Sequence, residues 1–110
     1  MALNSKQLKT SSLFFLALLS TQAFAGLSEQ RQQELGHLLK HDCGSCHGMT
    51  LKGGLGPALL PESLIEKPDE LLFVTIQEGR HGTPMPPWKT QLTEDEVHWI
   101  IQLLRKGPEE

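Results

Sequence analysis

The chain has 110 residues, with ten basic and thirteen acidic side chains and a formal net charge of −3 at pH 7. Nucleic acid and anionic membrane surfaces attract clustered lysine and arginine, so this acid excess excludes both as ordinary partners. Only two cysteines are present, Cys43 and Cys46, and a disulfide lattice therefore cannot stabilise the fold.

The first 25 residues differ in character from the rest. Lys6 and Lys9 precede an apolar run at residues 13–19, and Ala23-Phe24-Ala25 follows that run. A basic start, a short apolar stretch and an A-x-A site are typical of a secretory signal peptide. The run is shorter than the roughly 20 residues needed to span a bilayer. We predict cleavage after residue 25, export to the periplasm and no membrane anchor afterwards.

Residues 26–110 are predicted to form one small domain. After loss of Lys6 and Lys9, eight basic residues face thirteen acidic ones, and the domain keeps one Phe, two Trp and no Tyr. A core of this size is marginal by itself. The composition therefore predicts that an apolar group other than a side chain completes the core.

A first helix is predicted to begin after Ser28, a suitable N-cap, with Glu29 in its first turn. It is expected to end near His41-Asp42 and to deliver Cys43 onto the following turn. The leucines at helical spacing supply its apolar face: Leu27, Leu35, Leu38 and Leu39.

A second helix is predicted between two loops rich in glycine and proline. The first loop covers residues 48–61, and the second, GRHGTPMPP, covers residues 79–87. Pro68 suits the helix start and Gly79 its end. The apolar positions of this helix are dense and predict burial on more than one side: Leu71, Leu72, Val74 and Ile76.

The last helix has the clearest start signal. Thr93 as N-cap and Glu96 three residues later form a capping box, and Leu92 is placed to pack on Val97. Gly107-Pro108 is predicted to end the helix. Its inward stripe is Val97, Ile100, Ile101 and Leu104. No strand periodicity appears anywhere, so the chain is predicted to be all-α.

The motif CGSCH, residues 43–47, has four possible interpretations. A disulfide between Cys43 and Cys46 would close a very short loop and stabilise little. A redox dithiol belongs beside a βαβ unit, which this chain lacks. A structural zinc ion needs four ligands, and the other histidines offer no second pair at the required spacing: His37, His41, His81 and His98.

Haem attachment explains more of the sequence. Cys43 and Cys46 would form thioethers to the porphyrin, and the adjacent His47 would coordinate its iron. A covalently bound porphyrin also supplies the missing apolar bulk of the core.

A second axial ligand is predicted at Met85. Met49 is too close, because two residues after His47 reach at most ~7 Å and start on the same side of the ring. Met85 lies 38 residues after His47, beyond a whole helix, and the surrounding prolines limit its backbone freedom. A soft thioether in a rigid loop suits the iron. His81 is the rival ligand, while His37, His41 and His98 are expected on the surface.

The order CGSCHG, Gly56-Pro57, GTPMPPW and LTEDEV resembles the monohaem class I cytochromes c, over residues 27–106. The resemblance implies a small all-α fold wrapped around one haem c, and a carbonyl of Pro57 that accepts a hydrogen bond from Nδ1 of His47. The family packs a glycine and an aromatic residue of the first helix against an aromatic residue of the last. By this resemblance, Leu39 and Leu103 take the two aromatic positions, and Gly36 lies near the glycine position. More narrowly, residues 43–59 and 82–88 are similar to the small periplasmic NirC-type cytochrome of denitrification clusters.

The predicted function is a soluble, monomeric electron carrier with no catalytic residues. The narrower resemblance implies a role in denitrification, with cytochrome cd-type nitrite reductase or its haem-maturation system as redox partner. The acidic surface predicts docking on a basic partner. Two alternatives stay open: a haem enzyme or gas sensor in which Met85 dissociates, and a cytochrome subunit of a larger oxidoreductase.

Overall fold

A computed structural model describes residues 26–107, so the predicted signal peptide at residues 1–25, as well as Pro108, lies outside the described residues. The helices of the described part are α1 (Glu29–Leu38), a π-helical turn (Leu39–Cys43), α2 (Gly44–His47), α3 (Pro61–Leu64), α4 (Asp69–Glu78) and α5 (Glu94–Lys106). These residues contain no strand, and the all-α prediction is confirmed. Among them, no helix has the length and apolar character that crossing a bilayer requires.

The first helix is longer than the sequence predicted. The Ser28 hydroxyl accepts a hydrogen bond from the Arg31 amide at 3.1 Å, which confirms the N-cap. However, the helical backbone continues through the π-helical turn and α2 and ends only at Gly48, where φ is +92°. The predicted end near His41-Asp42 is wrong, because the helical backbone continues until it reaches a residue with positive φ. One continuous helical segment therefore carries CGSCH.

Helix α4 agrees with its predicted bounds but not with its predicted burial. Pro68 immediately precedes it, and Gly79, with φ +67°, ends it. The expectation of burial on more than one side is wrong at Val74, which is 55% exposed. Apolar density in a short helix does not reveal how many neighbours surround it. Helix α3, which begins at Pro61, was not predicted.

Helix α5 is the centre of the core. The predicted capping box is confirmed: the Thr93 amide donates to Glu96 Oε2 at 2.9 Å, and the Glu96 amide donates to Thr93 Oγ1 at 3.2 Å. The helix packs against α1, α3 and α4. The buried core comprises Leu35, Leu39, Leu51, Leu64, Leu92, Val97, Ile100, Ile101 and Leu104.

The contact between α1 and α5 differs from the predicted one at Gly36. A Cβ added at Gly36 would meet nothing within 4 Å, so this glycine does not mediate a close helix crossing. Leu39 is buried in the shared core, and Leu103 is partly buried against it. An ion pair also joins the helices, with Arg31 Nε at 2.6 Å from Glu96 Oε1. The Arg31 guanidinium holds the pKa of the buried Glu96 carboxyl below its ordinary value.

Candidate cofactor site

A cavity of about 500 Å³ opens between the CGSCH segment, α4, α5 and the two loops. Its volume lies in the range of roughly 300–1,000 Å³ that cofactor pockets occupy, and apolar side chains dominate its lining. The structure brings all five predicted site residues to this one cavity, although they come from three separate parts of the chain. These residues are Cys43, Cys46, His47, Pro57 and Met85.

The two cysteines are free thiols that line the cavity from one helical segment. Burial, with a smaller contribution from the charge of Asp42, raises the pKa of the Cys43 thiol to about 11. Redox-active dithiols rely on a lowered pKa, so this environment does not favour a thioredoxin-like role. No cluster of three or more possible metal-binding His, Cys, Asp or Glu side chains occurs among residues 26–107. The zinc interpretation therefore lacks support as well.

His47 is oriented by the loop that follows it. Its Nδ1 lies 2.7 Å from the carbonyl oxygen of Pro57. A carbonyl can only accept, so Nδ1 carries the proton and Nε2 is left with its lone pair. The loop is folded back by two hydrogen bonds of 2.8 Å, from the Gly53 amide to the His47 carbonyl and from the Gly56 amide to the Cys46 carbonyl. This is the arrangement in which an imidazole can bind a metal through Nε2.

Gly56 lies directly against the imidazole ring of His47. A Cβ added there would be 2.8 Å from both Cε1 and Nδ1 of the ring, well inside normal contact distance. Glycine is therefore required at this position so that the backbone can pass beside the ring. The sequence pointed to Gly56 as part of the Gly56-Pro57 motif, but its contact with the His47 ring depends on this close approach.

Met85 is held by the end of α4. The Arg80 amide donates to the Met85 carbonyl at 3.2 Å, and the Trp88 amide donates to the Ile76 carbonyl at 3.0 Å. A Cβ at Gly79 would lie only 2.6 Å from the Met85 carbonyl oxygen, so the two segments are in direct backbone contact. The partly buried Met85 side chain lines the cavity, and so does Trp88. The prolines and these contacts together limit how far the loop can move.

The remaining candidate ligands do not line this cavity. His81 is exposed on the loop, four residues before Met85, and Met49 is 54% exposed elsewhere. The other three histidines are exposed on helices, as predicted: His37, His41 and His98. Of these, His98 stacks on Phe73 with a centroid distance of 4.5 Å.

Two basic side chains at the cavity were missed by the sequence analysis. Lys67 and Arg80 line it, at positions just before and just after α4. Their position beside the ends of α4 was readable from the sequence, but which way they face was not. Together they place positive charge at a cavity that is otherwise mainly apolar.

Comparison with known proteins identifies the family. The chain matches the model of the family "Cytochrome C oxidase, cbb3-type, subunit III" over residues 30–104. It is 49% identical to "Cytochrome c55X" of Pseudomonas aeruginosa, over 88% of this chain and 87% of the relative. The chain belongs to the c-type cytochromes. Cytochrome c55X of Stutzerimonas stutzeri is 45% identical, over 86% of this chain and 80% of the relative.

Solved structures agree with this family. A "c-type cytochrome NirC" is similar with a TM-score of 0.71 and 50% identity, over 74% of this chain and 99% of that one. A "Dihydro-heme d1 dehydrogenase NirN in complex with DHE" is similar with a TM-score of 0.61 and 32% identity, over 69% of this chain and 17% of that one. The predicted class I cytochrome c fold and the NirC-type resemblance are thereby confirmed. A c-type cytochrome carries haem c and transfers electrons, so the predicted electron-transfer class is confirmed too.

Proposed function

We propose that this cytochrome is a periplasmic electron carrier of denitrification, with one haem c bound through thioethers at Cys43 and Cys46. His47 and Met85 are its axial ligands in this proposal. The observation that carries it is the single cavity lined by both cysteines, the oriented histidine and the methionine.

The cavity suits a porphyrin in size and chemistry. Its apolar lining matches the macrocycle, and Lys67 and Arg80 offer positive charge to the two carboxylates that haem carries. When bound, haem c supplies a one-electron iron couple. The marginal core of the domain also favours a large apolar group in this position.

The side chains then set the properties of that iron. Pro57 fixes the ring orientation of His47 through the 2.7 Å hydrogen bond, and such a partner raises the basicity of a ligating imidazole. A methionine thioether as the second ligand and an apolar cavity both favour a higher reduction potential. With His47 and Met85 both holding the iron, no coordination site would be left open for a substrate. In this proposal the polypeptide holds the haem, orients its iron ligands and shields it from water.

Substitution of Met85 tests the ligand assignment. The oxidised wild type is expected to show the weak far-red absorption band of a methionine sulfur on haem iron, and the reduced form is expected not to bind carbon monoxide. Met85→Leu is expected to lose the band and to bind carbon monoxide. His81→Gln, at the exposed rival on the same loop, is the matched control and should behave like the wild type. If the wild type lacks the band and binds carbon monoxide readily, a haem enzyme or gas sensor is the better assignment.

Export and attachment can be tested together. Residues 1–25 are proposed to be a signal peptide, which leaves a monohaem domain at residues 26–110. Mass spectrometry of the exported protein is expected to find a chain that starts at Gly26 and carries the mass of one haem. Cys43→Ala with Cys46→Ala is expected to abolish covalent attachment. A wild-type chain without added mass would end the proposal.

The proposed redox partner is cytochrome cd-type nitrite reductase or the system that matures its haem. Two similarities support this choice. The chain is 50% identical in sequence to a NirC structure, and it is similar to part of a dihydro-haem d1 dehydrogenase. The assay is stopped-flow oxidation of the reduced cytochrome by purified nitrite reductase. Size-exclusion chromatography, alone and with that enzyme, separates a free monomer from a subunit of a larger complex.

A further inference from the structure

The segment that joins α3 to α4 carries an exposed apolar side chain near the cofactor cavity, because Ile65 is 75% exposed. Ile65 lies in a shallow surface depression, called the Ile65 patch below, whose lining residues are Glu62, Ser63, Ile65, Glu66, Lys67 and Leu71. Single exposed apolar side chains are ordinary, but here Ile65 and Leu71 are surrounded by polar and charged side chains. An apolar centre with a polar rim is typical of a protein interface.

The rim of the Ile65 patch is acidic. Glu62 and Glu66 both line it, and neither takes part in an ion pair within residues 26–107. The nearby Asp69, in contrast, is neutralised by Arg105 at 2.8 Å. The one base in the lining, Lys67, also lines the cofactor cavity. The two free carboxylates therefore favour a partner that brings positive charge.

The Ile65 patch shares a wall with the cofactor cavity. Leu71 and Lys67 line both of them, so the patch lies next to the cavity proposed to hold the haem. Electron transfer between proteins requires a short separation between the two redox centres, which this adjacency favours. Val74, an exposed apolar residue of α4, lines neither the patch nor the cofactor cavity.

We propose that the Ile65 patch is the docking surface for a redox protein whose matching face presents an apolar group surrounded by lysine or arginine. This inference rests on the proposed electron-carrier function. Opposite rim charges speed the encounter, and apolar contact at the centre fixes the seated geometry. One electron passes from the reduced haem to the oxidised centre of the partner, and no bond or proton is exchanged.

A small redox probe with the same chemistry tests the surface directly. Tris(phenanthroline)cobalt(III) is a cation with flat aromatic faces, and it takes one electron to become cobalt(II). Its rate of reduction by the reduced holo-cytochrome is measured for the wild type, Ile65→Ser, Glu66→Gln and the control Val74→Ser. We expect both patch variants to react roughly three- to tenfold more slowly at low salt, and the control to match the wild type. Added salt is expected to slow the wild type more than Glu66→Gln.

Ferricyanide, an anionic oxidant, separates the two proposals. Each variant is first checked for one bound haem, for the far-red band and for a rate of oxidation by ferricyanide no lower than that of the wild type. If all three are kept, any change in the rate of oxidation by the cobalt complex is attributed to the Ile65 patch. Equal cobalt rates in all four proteins, or a loss in Val74→Ser as large as that in Ile65→Ser, would overturn the docking surface alone. A wild type that cannot be reduced and reoxidised by ferricyanide would instead remove the carrier function, and this inference with it.

Discussion

Gly79→Ala tests whether the end of α4 holds Met85 in its position. Gly79 has φ +67° and ψ −166°, and a Cβ added there would lie 2.6 Å from the Met85 carbonyl oxygen and 2.7 Å from the Pro86 carbonyl carbon. The first of these distances is about 0.8 Å short of ordinary contact. Both neighbours are backbone atoms between proline rings, so they cannot move aside as a flexible side chain would.

Two costs add at this position. Alanine in a backbone region reserved for glycine costs about 1–3 kcal/mol, and forcing an extra methyl into a packed contact costs about 1–3 kcal/mol more. Gly82 is the matched control, because it lies on the same loop with φ +76° but its added Cβ would meet nothing within 4 Å. Gly82→Ala therefore carries only the backbone cost. We expect Gly79→Ala to be less stable than Gly82→Ala by about 1–3 kcal/mol.

The assay combines unfolding in guanidinium with the absorption spectrum of the oxidised protein. Gly79→Ala is expected to shift the loop and to weaken or remove the far-red band of the methionine ligand. Gly82→Ala is expected to keep that band. Equal free energies of unfolding and equal spectra in the two variants would refute the reasoning, because the backbone contact with Met85 would then have no effect.

Three further predictions follow from contacts between distant parts of the chain. Gly56→Ala is expected to push the His47 ring out of its hydrogen bond with Pro57 and to lower the free energy of unfolding by about 1–3 kcal/mol. The reduction potential, measured by protein-film voltammetry, is expected to change, and an unchanged potential would contradict the contact. Gly36→Ala is expected to raise the free energy of unfolding by roughly 0.5–1 kcal/mol, because its Cβ meets nothing and α1 gains helix propensity; destabilisation would point to a helix contact at Gly36. Arg31 lowers the pKa of the Glu96 carboxyl in the folded protein, so the ion pair stabilises the fold. This stabilisation is fully present above the ordinary pKa of 4.5 and is lost as the pH falls through the lowered pKa. Urea unfolding at a series of acidic pH values is expected to show a smaller loss of unfolding free energy in Glu96→Gln than in the wild type. An equally steep loss in the variant would exclude the Glu96 carboxyl as the cause.

Features that depend on neighbouring residues were predictable from the sequence. The N-cap at Ser28 and the capping box of Thr93 and Glu96 are confirmed because each involves residues only three positions apart. The motif CGSCH indicated haem for a similar reason, since its chemistry lies in five consecutive residues. The end of the first helix is an exception: it was predicted near residues 41–42, whereas the helical backbone stops only at Gly48.

By itself, the sequence determined the all-α class, the starts of α1, α4 and α5 and the residues that suit haem attachment, because capping and covalent chemistry act over a few positions. Only the tertiary structure decided which glycines touch the site, that Arg31 pairs with Glu96 across 65 positions, and that part of α4 remains exposed. Those features depend on distances between segments far apart in the chain. Packing sets such distances, and no local pattern of residues encodes them.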